Sequence, residues 1–67
     1  MPSYEKYAAI RDLKGITDYQ VWKDTGIATA TLSDWKNGIS KPKIDKLMIL
    51  ANYFNVKIED FLGKEEE

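Results

Sequence analysis

The chain has 67 residues, with 10 Lys and Arg against 11 Asp and Glu, a net charge of −1, and neither Cys nor His. A chain this short makes one small domain and buries only about 60% of its unfolded surface, so its stability margin is modest. The missing Cys and His exclude disulfides, thiolate chemistry and the commonest zinc sites; no apolar run approaches the ~20 residues of a membrane span, and MPSYEKY lacks a signal-peptide apolar core, all of which fits a cytoplasmic protein.

Ser3 follows Pro2 and is the expected N-cap of a first helix, with Glu5 near the favourable end of its dipole. Tyr4, Tyr7 and Ile10 repeat every three residues and should face the core, with Leu13 at its edge. Gly15 stops this helix, and Ile16 anchors the chain before the next one.

Residues 17–38, TDYQVWKDTGIATATLSDWKNG, organise the rest. Thr17 can cap a second helix, and Gln20 three residues later completes a capping-box pattern. Val21, Trp22 and Thr25 mark its inner side. Gly26 ends it cheaply, because glycine accepts a positive φ, and Ile27 plugs the corner. A third helix spans residues 29–36, with Leu32 and Trp35 three apart on one face. Asn37 and Gly38 end it. Two short helices broken at a glycine form a helix-turn-helix.

Pro42 forbids a helix running straight on. A fourth helix spans 44–54, where Ile44, Leu47, Met48, Leu50, Ala51 and Phe54 give a wide apolar face. Asn55 tolerates a left-handed backbone and ends it. Val56 leads into a short fifth helix over 58–62, closed by Gly63, and residues 64–67 are a charged tail. Nothing reads as a strand. The expectation is one all-α domain over residues 1–67, with an ordered core at about 4–63 and five helices around one apolar centre.

Charge is uneven along the chain. Residues 18–34 hold Lys23 against Asp18, Asp24 and Asp34, whereas residues 36–46 hold Lys36, Lys41, Lys43 and Lys46 against Asp45. The loop after the third helix is therefore locally basic, which matters more for a polyanionic partner than the total. Neither a nucleophile–base pair nor a glycine-rich phosphate loop is present, so an enzyme is not expected.

The motif resembles that of Cro- and repressor-type bacterial and phage transcription regulators. The match lies at Thr17, Val21, Gly26, Ile27, Thr31, Leu32, Ser33, Trp35, Asn37 and Gly38. It extends to Lys14-Gly15-Ile16 before the motif and to Lys41-Pro42 and Ile44-Asp45-Lys46-Leu47 after it. The resemblance implies a five-helix, lambda-repressor-like DNA-binding domain, with the helix-turn-helix at helices 2 and 3. It implies that helix 3 enters the major groove of double-stranded DNA. Thr29, Ala30, Thr31, Ser33 and Asp34 would then read bases. Thr17, Lys36, Asn37, Lys41 and Lys43 would hold phosphates, helped by the backbone amides of residues 38–40. A homodimer on a two-fold site is expected, with Phe61 or Tyr53 at its contact. No cofactor, metal or membrane is implied.

Five positions depart from the family pattern. Asp18 replaces a phosphate-contacting glutamine with a charge that repels phosphate. Thr29 and Asp34 stand where arginine is often found. Ala28 replaces a serine cap, so Thr29 either takes over capping, starting the helix one residue late, or stays free for bases. Trp22 occupies a position that is usually small: either it fills a gap beside Ala28 and Ala30, or it slides out and pairs with Tyr19 as an exposed aromatic patch. That patch motivates an alternative, a protein-interaction module of antirepressor or antitoxin type.

Overall fold

Ser3 starts the first helix as expected. Its backbone is extended, and its Oγ accepts a hydrogen bond from the Lys6 amide at 3.3 Å, satisfying one donor that a helix start leaves unpaired. The structure is a computed structural model and describes residues 2–62. The elements run α1 (Tyr4–Lys14), α2 (Asp18–Thr25), α3 (Thr29–Lys36) and α4 (Ile44–Phe54), followed by a 3-10 turn at Ile58–Phe61.

The expected fifth helix is thus a single 3-10 turn. Four residues leave room for one tight turn, closed by the Asp60 amide on the Lys57 carbonyl at 2.9 Å. Its purpose is packing, because it drives Phe61 completely out of solvent. The Ser3 amide donates to the Phe61 carbonyl at 2.7 Å, and Pro2 bridges Leu62. The two ends of the described chain are therefore tied together. Gly63 and the tail at 64–67 lie outside the described residues.

The core is one cluster with Tyr7 at its centre. The Tyr7 ring lies 5.2 Å from Trp35, 5.9 Å from Phe54 and 6.4 Å from Phe61. Such tilted and edge-on contacts favour aromatic pairs beyond the area they bury. Val21 and Ile27 close the cluster from α2 and its turn, and Leu32 from α3. In α4, Leu47, Leu50, Ala51 and Phe54 form a buried stripe at helical spacing, each large side chain contributing about 1.5–3 kcal/mol.

The wide apolar face expected of α4 is narrower than its sequence suggests. Ile44 is 63% exposed and Met48 54% exposed. The reason is angular: the buried stripe already fills the side facing α1 and α2, and both residues lie beyond its edge. Leu13 is likewise fully outside the core rather than at its edge. Asn55 ends α4 at φ 60°, as its tolerance for the left-handed region predicts.

Candidate nucleic-acid interface

The site is built from α2, a turn, and α3. Thr17 caps α2, its Oγ1 accepting from the Gln20 amide at 3.2 Å. The reciprocal half of the expected capping box does not form. The Gln20 side chain turns forward and donates to both Asp24 oxygens at 3.0 Å. Gly26 ends α2 at φ 81°, a backbone any other residue would strain to adopt. Thr25 locks the corner twice: its hydroxyl donates to the Val21 carbonyl at 2.7 Å and accepts from the Ile27 amide at 3.1 Å. Ile27 is thereby fixed as the buried plug.

α3 begins at Thr29, with Ala28 as N-cap and no side-chain cap bond. Thr29 therefore does not take over capping. Its hydroxyl stays on the exposed first turn. Leu32 and Trp35 are buried and turn one side of α3 into the core. Ala30, Thr29 and Ser33 are exposed on the other side, while Thr31 and Asp34 are half-buried at its margins. The outer side of the helix is covered by no other part of the described chain.

The exit from α3 differs from the sequence reading. The backbone amides of Gly38, Ile39 and Ser40, expected to meet phosphates, are already engaged. Gly38 donates to the Trp35 carbonyl, and Ile39 and Ser40 donate to the Asp34 carbonyl, at 3.2, 2.9 and 3.4 Å. They close the helix and are not free for a ligand. The Asn37 side chain lies exposed beside Ser33, its Nδ2 3.5 Å from Oγ. Lys36, Lys41 and Lys43 are exposed. Thr17 and Lys36 line one cleft, together with Tyr4, Arg11, Asp12, Ile16 and Asp18. Lys41 and Lys43 lie outside that cleft, on the following loop.

Asp18 overturns an expectation. It is not a loose charge facing phosphate. Its carboxylate accepts from Tyr7 at 2.7 Å, Arg11 at 2.8 Å and Tyr4 at 3.0 Å, with its side chain only 29% exposed. Burial would raise its pKa, but the hydrogen bonds from Tyr7, Arg11 and Tyr4 outweigh that and hold it below the usual carboxylate range. Burial, then the bond to Asp18, pushes the Tyr7 hydroxyl well above the usual tyrosine value. The negative charge that appeared to oppose DNA is turned inward and paired.

Arg11 is the residue that sequence reasoning missed. It stands four positions after Tyr7 on the inner stripe of α1, a place where a cation needs a buried partner, and that was the available signal. Its guanidinium also bonds Tyr4 at 3.0 Å and Asp12 at 2.9 Å.

Asp24 is partly occupied in the same manner. The Tyr53 hydroxyl donates to it across the gap between α4 and α2, which lowers the Asp24 pKa and pushes that of Tyr53 up to about 12. Tyr53 is thus engaged within the protein, and Phe61 is fully buried. Phe61 cannot serve the dimer contact expected of it.

Trp22 settles on the outside. It is 42% exposed and Tyr19 59% exposed, with ring centres 5.4 Å apart. Trp22 therefore does not belong to the inner side of α2, and Val21 alone supplies that side's fully buried residue.

The sequence profile of the helix-turn-helix family matches residues 8–61. The chain is also 27% identical over 62 residues to the HTH-type transcriptional activator BcrR of Enterococcus faecalis. That alignment covers 92% of this chain but 30% of the relative, so the chain spans under a third of that protein's length. No solved structure matches at comparable significance. Among the described residues, no helix is long and apolar enough to cross a membrane.

Proposed function

The chain belongs to the helix-turn-helix family of Cro and repressor type, and from that premise we propose that it is a non-enzymatic, sequence-specific DNA-binding transcription regulator. In this reading α3 lies in the major groove of a bacterial or phage operator. One observation carries it: Leu32 and Trp35 pin α3 to the core, and the opposite side stays uncovered. Thr29, Ala30, Thr31, Ser33 and Asp34 meet base edges. The Thr17 hydroxyl and the Lys36, Asn37, Lys41 and Lys43 side chains meet phosphates. The pairing of Asp18 with Tyr7 and Arg11 supports this, since it offsets a negative charge beside that approach.

In this reading it acts in the cytoplasm by occupying a promoter, the repressor mode. Its few base contacts call for a homodimer on a two-fold site. With Phe61 buried, the exposed Ile44, Met48 and Ile49 on the outer side of α4 are the contact we assign to a second copy.

The test is fluorescence anisotropy with duplex DNA across a salt series. Affinity should fall steeply with salt, by about 0.9 log units per tenfold salt for each phosphate contact. A flat salt response without sequence preference overturns the proposal.

A second reading rests on the Tyr19 and Trp22 pair, which is a suitable anchor for a protein partner. Lys41→Glu with Lys43→Glu separates the two. DNA binding should collapse by more than tenfold, whereas an aromatic protein contact should be indifferent.

A further inference from the structure

Resting on the DNA-reading role above, we infer that the half-site is rich in A·T pairs and is recognised through thymine C5-methyl groups. The argument starts from the composition of the outer row of α3. At about 100° per residue, the burial of Leu32 and Trp35 sets Ala30 diametrically outward, with Ser33 exposed on one side of it and Asp34 half-buried on the other. Thr29 stands exposed on the turn before them.

Every one of these side chains is short. Residues 28–35, ATATLSDW, contain no Arg, Lys, Asn or Gln. The forked and amide side chains that grip guanine and adenine edges in pairs are therefore absent from the entering half of the helix. The single cation of α3, Lys36, belongs to its last turn and lines the cleft beside Thr17 and Asp18 rather than the outer row.

Short side chains also let the helix axis come close to the base edges. What then meets the groove is the Ala30 methyl and the Thr29 methyl. The apolar feature of the major groove is the thymine methyl, and these two surfaces fit each other. Because Thr29 is not used for capping, its side chain is available for this contact. Asp34 accepts only, so it selects an exocyclic amino group of cytosine or adenine and rejects the guanine edge.

The experiment begins with selection of bound duplexes from a randomised pool, using the full chain. The enriched site is then remade with deoxyuridine replacing thymine, one position at a time. This removes a methyl group while leaving base pairing and the protein untouched. The expected result is an A·T-rich site in which one or two uridine replacements each weaken binding about 3- to 5-fold, the scale of one buried methyl. In Ala30→Ser or Thr29→Ser, the penalty at the contacted position should shrink below about twofold, since the apolar contact is already lost. A site led by G·C pairs, or one indifferent to every uridine replacement, overturns this inference while leaving DNA reading intact. A pool that yields no enriched sequence overturns both.

Discussion

The two helices of the motif are held in opposite ways. α2 puts only Val21 fully into the core and is otherwise fixed by polar contacts: the Thr17 cap, the Thr25 lock, the Asp18 cluster reaching to α1, and the Asp24–Tyr53 bond reaching to α4. α3 has no side-chain cap at its start and is held by Leu32 and Trp35 pressed into the aromatic core. The difference teaches where a small fold keeps its polar groups free. A helix secured by polar bonds has used them internally, whereas a helix secured by apolar packing can present its polar side to a ligand.

The sharpest way to break this contrast is Trp35→Ala. Removing a buried aromatic costs about 3–5 kcal/mol, a large part of what so small a domain has. Circular dichroism should show loss of cooperative thermal unfolding, and a melting curve unchanged from wild type would mean that α3 is held by something else.

Next comes Asp18→Ala, expected to cost about 2–3 kcal/mol through three lost hydrogen bonds to a charged group. Its pH signature is specific. The folded pKa is depressed, so the unfolded chain binds more protons near and below its own value of about 3.9. The stabilisation is present above that pH and is lost as pH falls through the folded value. Urea midpoints should drop on the acid side in wild type and drop less in Asp18→Asn. Tyr7 acts in the opposite direction. Its folded pKa is raised, so its contribution is intact below about pH 10 and fades as pH rises further.

Smaller effects sharpen the comparison from within. Thr17→Ala should cost about 1 kcal/mol, because α2 depends on that cap. Ala28→Ser should gain about 0.5–1 kcal/mol, because α3 lacks one. Both are read as shifts in chemical denaturation midpoint. Equal and opposite shifts would confirm that the two helix starts differ only in capping.

Most of the fold was legible in the sequence because its signals are local. Ser3, Thr17, Gly26 and Asn55 each mark a helix end by their own backbone or hydroxyl chemistry, and the structure uses all four. The bounds of α3 and α4 follow from Leu32 and Trp35 and from Pro42. What could not be read depends on pairing across the chain. Asp18 looked like a hostile surface charge because its partners, Tyr4, Tyr7 and Arg11, lie up to 14 positions away. Ile44 and Met48 looked buried because period alone does not say how wide a stripe its neighbours cover. The base-reading and phosphate positions are legible only through the motif, since short hydroxyl side chains and solvated lysines carry no signal singly.

The molecule's two tryptophans, Trp35 sealed in the core and Trp22 half-open on α2, make it its own optical gauge. An incoming protein that covers Trp22 should shift indole emission to the blue and shield it from iodide. A duplex settling against α3 should leave that emission in place. Trp22→Phe should abolish the shift and leave only the core signal of Trp35, which assigns the response of the unlabelled protein to the α2 surface.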